Sequence, residues 1–545
     1  MTNVIADPVV LPDYPNVLTE PHPKRFELAR RPLVLLGLVL LCFLPRAVIA
    51  VKCPSIGADA TLYIKLAKAI DQGDFHVGLS DMRLNTYPVI LAGIHRLGFD
   101  WETGGRWWGV VIASLVVLPL YGWIRRQFDD YVALAACFLY AVHPRFIEWS
   151  PHVMRDPTFW FLLALSLYFL WRAVCEVRPG MFAAAGIAST LAVMTRREGL
   201  FLLIPLLLWS LWRWLALQES RRRLVIGVLL FSLIPPAIFI FVNLIMLRGH
   251  STWEFCRLPE FSMIENLEES VGIFNGESPD EDAVEASKDS LQAGADHIPR
   301  MRIGKMTYKY LSLLESGFTA VFGILLVGGL WVWRKIWLRR DNRPLLYFSI
   351  VIMVGIWLDY WQLGQTSTRY PLTIALMATP FAGLALLRIS QWSRNSARKA
   401  NHGLRWQKAA LFVPAILIAI ASFPEALIAS SKRFETLAAY SSLGHWVKTE
   451  SKVKPVVLGH ESVAKIVKYR ADCKAAVIHV LDSPSHIAKV ADNRRINVVM
   501  LSKTKLRHFD SEKLFTELEK IGYKRVNPSE LPPGTDRVVV FMRNT

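Results

Sequence analysis

Eleven apolar runs, each about long enough to cross a bilayer as a helix, constrain this chain more than any other feature. They lie near 32–51, 106–124, 131–147, 157–175, 180–195, 199–217, 224–247, 316–337, 345–363, 370–388 and 409–428. A hydrocarbon core about 30 Å thick takes roughly 20 helical residues. In lipid, only helices and closed barrels satisfy their own backbone groups. These runs are continuously apolar rather than alternating, which points to helices. Composition agrees: 53% of the residues are hydrophobic and 19 are Trp, more apolar than an ordinary soluble domain. The expected fold is an all-α polytopic membrane protein with about eleven transmembrane helices.

A formal charge of +18 would suggest nucleic acid in a soluble chain. Here the cations gather on alternate connections: Arg125 and Arg126, Arg172 and Arg178, Arg221 to Arg223, Arg334 to Arg340, and Arg388 to Lys408. The positive-inside rule accounts for them without a nucleic-acid partner. It places the basic 1–31 tail in the cytoplasm of a bacterial-type membrane and, after eleven spans, the C-terminus outside. The first run follows a long polar stretch with no clear cleavage site, so it reads as an uncleaved span. Six Cys without a CxxC pair signal neither a zinc site nor a disulfide framework. Cys53, Cys256 and Cys473 would face outside, which leaves one disulfide open.

Three regions result: the tail 1–31, a transmembrane domain 32–428, and an extracytoplasmic α/β domain 429–545. The last shows short β-rich runs at 455–458, 475–480, 496–501 and 538–541 between helical stretches. That alternation suggests a small, mainly parallel sheet. The turn at 459–462 has a single glycine and no GxGxxG, which argues against a nucleotide site.

The varied connections all fall on the outer side: 52–105, 146–156, 196–198, 248–315 and 364–369. Long loops presented by a rigid scaffold commonly carry function. The 248–315 loop is acidic, and such runs are usually solvated surface. In 56–75, Asp59 and Tyr63 are four apart and share one helical face. Leu62, Leu66, Ala69 and Ile70 supply an apolar stripe, and Gly73 stands where the helix would stop. Asp59 is either a reactive carboxylate at the mouth of the bundle or a solvated helix cap. Asp156, before Pro157, is equally a natural N-cap or a reactive group. Arg196 and Arg197 break the charge bias of the outer loops; Glu198 would partner one and leave the other for an anion. Arg369, followed by Tyr370, sits at another outer mouth. Arg46 would snorkel to the interface. His143 and His152 fit no standard zinc spacing, so no cofactor is indicated and a divalent metal stays open.

One carboxylate with several arginines suits a sugar leaving on a phosphate. The phosphate is a good leaving group and needs cations rather than a general acid, while the acceptor hydroxyl needs one base.

Several features now stand in order. They are the first span with Arg46, the Asp59-x-x-x-Tyr63-x-x-x-Ala67 loop ending Gly73-Asp74-Phe75, and Tyr87-Pro88 before Leu91 to Ile94. The Ser150…Arg155-Asp156 segment, Thr195 to Gly199 and Arg369-Tyr370-Pro371 follow. This resembles the GT-C superfamily of polyprenol-phosphate-sugar-dependent glycosyltransferases, near the protein O-mannosyltransferase and lipid A aminoarabinose transferase group. The resemblance spans roughly 30–430. It implies Asp59 as the base, Asp156 as a second acid contacting acceptor or metal, and Arg197 and Arg369 on the lipid phosphate. Tyr63, Tyr87, Arg196, Glu198 and Tyr370 complete the expected binding set. The implied partners are a polyprenyl-phosphate sugar donor, an extracytoplasmic acceptor and membrane lipids. Ala60 after Asp59 and Thr86 before Tyr87 depart from many relatives and leave sugar and acceptor unnamed. Two rivals remain, a transporter or flippase of a lipid-linked sugar and a non-catalytic membrane receptor.

Overall fold

The computed structural model describes residues 31–53, 55–80, 85–196, 198–199, 221–246, 303–332, 350, 353–354, 369–451, 454–478, 483–493, 496–506 and 510–543. Most of the expected spans at 199–217 and 345–363, residues 248–302 of the acidic 248–315 loop, Arg197 and Cys256 lie outside the described residues, while 303–315 of that loop is helical. Ten helices come first: α1 Arg31–Lys52, α2 Ala58–Asp71, α3 Phe75–Ser80, α4 Thr86–Arg96, α5 Trp101–Leu115, α6 Val117–Gln127, α7 Asp130–Val142, α8 Pro144–Trp149, α9 Asp156–Glu176 and α10 Pro179–Thr195. Then follow α11 Arg221–Met246, α12 Ile303–Phe318, α13 Ala320–Val332, α14 Pro371–Lys399, α15 Leu404–Ala410 and α16 Val413–Glu450.

Five helical stretches among the described residues are long and apolar enough to span a membrane. A sixth counts if α12 and α13, bent by 96° at their junction, form one broken span. The junction residue is Thr319, in the left-handed region at φ 60°. The outward surface confirms the environment. Leu33, Leu36, Leu44 and Val51 on α1, Ile324 and Val327 on α13, and Ile416, Leu417 and Ile420 on α16 are all exposed. Water would not tolerate such belts, but lipid tails match them. The chain is an integral membrane protein.

Inside, large rings are sealed: Trp123, Tyr140, Phe146, Phe159, Trp160 and Phe182 are at most 1% exposed. Glycine permits one close crossing that shapes the site. A Cβ on Gly109 of α5 would lie 2.2 Å from the Ser150 carbonyl oxygen, so only glycine lets α5 pass the 150–153 segment.

Arg46 does not snorkel. It is fully buried, because the end of α8 folds over it and the chain supplies acceptors. Its guanidinium donates to the carbonyls of Cys42 at 2.7 Å, Ala141 at 3.0 Å and Tyr140 at 3.3 Å, and to Ser150 Oγ at 3.1 Å. A buried carbonyl robbed of its donor costs about 1–3 kcal/mol. Replacing Arg46 by Leu is therefore expected to lower the unfolding midpoint in detergent by an amount worth about 3 kcal/mol or more; an unchanged midpoint would refute this.

The C-terminal unit contains β1 Val456–His460, α17 Glu461–Ala471, β2 Lys474–Ile478, α18 Pro484–Asn493, β3 Val498–Ser502, α19 Lys503–Leu506, α20 Ser511–Lys520, β4 Tyr523–Arg525 and β5 Val538–Arg543. The sheet order is β2-β1-β3-β5-β4. Its β1 pairs with β2 and β3 in parallel, whereas β5 runs antiparallel to β3 and β4. The sheet is mixed rather than mainly parallel, because the last strands return without a helical crossover between β4 and β5. Cys53 and Cys473 are both free.

One helix joins membrane and sheet. Helix α16 runs 38 residues without interruption, apolar and outward-facing at first. Its later residues Leu437, Tyr440, Leu443 and Val447 enter the core of the α/β unit. A second tie is ionic. Arg470 of α17 grips Glu102 at the start of α5 through both oxygens, at 2.6 and 2.9 Å, and also reaches Ser55. The unit therefore rests against α2 and its neighbours.

Candidate active site

Chain alternation brings the end of α1, the start of α9, the end of α10 and the start of α14 to one end of the bundle. Four sequence elements place the charged groups there. The first is α2, which begins after Gly57 with Asp59 in its first turn. It stops in a glycine cap: Gly73, at φ 88°, and Asp74 donate back to the carbonyls of Ile70 and Ala69, as a Schellman turn requires. The stripe lies slightly rotated from the sequence expectation. Ala60, Tyr63, Ile64, Leu66, Ala67 and Ile70 are buried, while Leu62 and Ala69 are half-buried. The cause is that α2 is covered from two sides, by α4 and by α17 of the C-terminal unit.

Asp156 is the first residue of α9, and Arg155 takes the cap position. Its carboxylate is 1% exposed and accepts from Arg196 Nη1 and, at 3.5 Å, from Arg369 Nη1. Arg196 follows α10. Gly199 turns the chain back so tightly that a Cβ there would lie 2.7 Å from the Val193 nitrogen. That turn brings Glu198 onto Arg196, with bonds from Nε of 3.1 and 3.2 Å. Burial pushes the Glu198 carboxyl up, but the Arg196 charge and hydrogen bonds overcome it and hold it down at about 2. Arg369, just before α14, donates to Asp59 at 2.8 Å. The result is an alternating chain: Asp59, Arg369, Asp156, Arg196, Glu198.

The members differ in access. Asp59 is 39% exposed, whereas Asp156 and Glu198 are 1% and 8%. Burial raises the Asp59 carboxyl, yet the charges of Arg369 and Lys465, with the Arg369 hydrogen bond, bring it below the ordinary carboxylate value. Tyr63, one turn on, is pushed up to about 12 by burial and stays neutral. Its ring meets Tyr87 edge-on at 5.2 Å. Tyr87 is fixed because Asn85 caps α4 and Thr86 shares a hydrogen bond with Thr195 at 2.8 Å. Tyr370 lies under the Arg196 guanidinium, 4.7 Å from its ring centroid.

Of the expected residues, Asp59, Asp156, Arg196, Glu198, Arg369 and Tyr370 therefore converge, with Tyr63 and Tyr87 adjoining them. Two cations acting on Asp59 escaped sequence reading, Arg155 and Lys465. Arg155 stands beside Asp156 in sequence and could have been read; Lys465 comes from the C-terminal unit and gave no local signal. Among the described residues no three His, Cys, Asp or Glu side chains group as metal ligands would. Asp156 and Glu198 are instead committed to arginines, so these side chains do not fit a metal and no step below runs through one.

Residues 86–239 match the family model described as dolichyl-phosphate-mannose-protein mannosyltransferase. The match includes Asp156, Arg196 and Glu198. The oligosaccharyltransferase of Archaeoglobus fulgidus, solved in complex with Zn and sulfate, superposes with a TM-score of 0.53 at 15% identity, covering 91% of this chain and 72% of that one. The archaeal enzyme AglB from the same organism, with an inhibitory peptide and a dolichol-phosphate, gives 0.52 at 14% identity over 92% and 74%. This chain has the GT-C glycosyltransferase fold. ArnT from Cupriavidus metallidurans bound to undecaprenyl phosphate is similar at a TM-score of 0.48 and 14% identity, over 94% and 97%. No curated protein sequence matches the chain. The family model matches part of the chain, the solved structures share its fold, and its long apolar helices suit a membrane.

Proposed function

We propose that this GT-C glycosyltransferase moves a sugar from a polyprenyl-phosphate carrier to an acceptor outside the cytoplasm, with Asp59 as the base. One observation carries the reading: of the three carboxylates in the charged chain, Asp59 alone is open to a substrate. Asp156 and Glu198 are sealed against arginines and serve to position them. The A. fulgidus enzyme of the same fold holds a dolichol-phosphate, a carrier of the proposed class.

The chemistry needs little more. The acceptor O–H gives its proton to the Asp59 carboxylate while its oxygen bonds to the anomeric carbon of the sugar. On the opposite face the bond from that carbon to the phosphate oxygen breaks, and the electron pair leaves with the phosphate. A single displacement of this kind inverts the anomeric centre. Arg369 stands where that developing charge can be met by a bidentate fork. By the positive-inside pattern, the site and the C-terminal unit face away from the cytoplasm.

The test is release of polyprenyl phosphate by the purified protein given a panel of polyprenyl-phosphate sugars, with and without candidate acceptors. Turnover with one donor and an inverted product is the expected result. A folded protein that turns over none of them would refute the proposal and favour transport of the lipid-linked sugar.

A further inference from the structure

The C-terminal unit reaches the charged chain through one helix. On one face α17 packs against α16 and the sheet, and on another against α2, the helix that carries Asp59. Its second turn brings in Lys465, whose charge acts on Asp59 together with those of Arg369, Arg155 and Arg433. Tyr63 on α2 and Tyr87 on α4 stay neutral beside them. Of these four cations only Lys465 is carried by the sheet-bearing unit beyond α16. Its ammonium is tied to Glu461 on the same helix at 2.7 Å, so it moves with α17. Its distance from Asp59 is therefore set by how the unit sits.

The seam between α2 and α17 is poorly matched in charge. Burial pushes Lys468 below the ordinary lysine value, and the Lys65 charge of α2 adds to the push. Like charges set against each other oppose the contact. The counterweight is Arg470, one residue past the end of that face. Its Nη1 and Nη2 reach the two carboxylate oxygens of Glu102 at 2.6 and 2.9 Å, Nη2 also donates to Ser55 Oγ at 3.3 Å, and Nε donates to Ser441 Oγ at 2.9 Å. Arg470 and Glu102 are only 17% and 18% exposed, and a bidentate pair so shielded is a strong, directional tie. Glu102 lies in the first turn of α5, Ser55 stands four residues before Asp59, and Ser441 belongs to α16. One guanidinium thus joins the bundle, the lead into α2, and the helix that supports the sheet.

We propose that the Arg470–Glu102 clamp is a positioning device for the transfer reaction, seating α17 on α2 so that Lys465 stays near Asp59 and the α/β unit forms part of the active site. The proposal rests on the reading of Asp59 as the base. Arg470 touches no substrate and acts through Lys465. When the clamp is opened, the repulsion in the seam lets α17 lift and the Lys465 charge recedes. Burial, which raises the Asp59 carboxyl, is then opposed by fewer cations, and the base takes up its proton at higher pH.

The test uses the full-length protein in detergent and the polyprenyl-phosphate sugar that it turns over. Arg470→Gln is expected to move the acid limb of kcat/KM upward by roughly half a pH unit, the effect of one charge several ångströms away in a partly wet site. Lys465→Met is expected to move it as far, and Lys465→Arg to leave it in place. Because Arg470 acts through Lys465, adding Arg470→Gln to Lys465→Met is expected to shift the limb no further. Glu102→Gln opens the clamp from the other side and repeats the shift should Arg470→Gln fail to fold. A second readout needs no turnover. With an amine-reactive label read by mass spectrometry, Lys468 in the seam is expected to react severalfold faster in the clamp variants, with exposed Lys520 on α20 unchanged. A limb that stays in place in both clamp variants, shifts that add in the double variant, or unchanged labelling of Lys468 would each overturn the proposal. Those results leave Asp59 as the base untouched, whereas full turnover by Asp59→Asn would overturn the transfer reading itself.

Discussion

Asp59→Asn is expected to lower kcat by roughly 10²–10⁴-fold, the usual worth of a positioned general base, with the unfolding midpoint unchanged. The side chain is half-buried at the mouth, and the amide keeps its shape beside Arg369, so the fold loses little. A decrease of only a few-fold would remove Asp59 as the base. The pH profile gives an independent check. The base works deprotonated, so kcat/KM falls as pH drops through its pKa in the free enzyme. Burial raises that pKa, but Arg369 and Lys465 outweigh it and hold it below the ordinary carboxylate value, so the acid limb lies below that of a free carboxylate. Removing the Arg369 charge and hydrogen bond in Arg369→Met leaves only Lys465 and Arg155 to oppose burial and moves the limb upward. A limb that stays in place when Arg369 is replaced would contradict the pairing.

Asp156→Asn has the opposite signature. The carboxylate is sealed, and both its oxygens face guanidinium groups. Breaking a buried pair leaves a cation without compensation and costs about 3 kcal/mol, the lower end of the usual range. The lower end applies because Glu198 still holds Arg196 and Asp59 still holds Arg369. The unfolding midpoint in detergent should fall accordingly, and activity should fall with it as the arginines lose their positions. Glu198→Gln is expected to act in the same direction. A stable Asp156→Asn protein with activity lost would instead assign Asp156 to the chemistry.

Much of this site was legible in order along the chain. Gly73 ended α2 as read, and Asp59 and Tyr63 shared the expected face. Glu198 took one of the adjacent arginines, as the cost of an unpaired charge near lipid demands. The errors have physical causes as well. Arg46 was read as a snorkelling side chain because a terminal arginine on a span usually finds water. Here Ser150 and the carbonyls at 140 and 141 close over it, and neither lies near it in sequence. For Asp156 the sequence left N-cap and reactive group equally open; the structure puts Arg155 at the cap and turns the Asp156 side chain to two arginines brought from 40 and 213 residues away.

Local sequence determined the helices, their apolar faces and the end of the bundle at which the charges gather. Period, length and charge bias act within a single run, so they survive in the sequence alone. Tertiary structure decided which carboxylate faces a substrate. Exposure is set by what packs over a side chain, and three acids with similar local surroundings ended at 39%, 1% and 8%. It also carried Lys465 to the site from beyond the last span. A contact made across hundreds of residues leaves no periodicity to read, and only the packing of α17 against α2 brings it about.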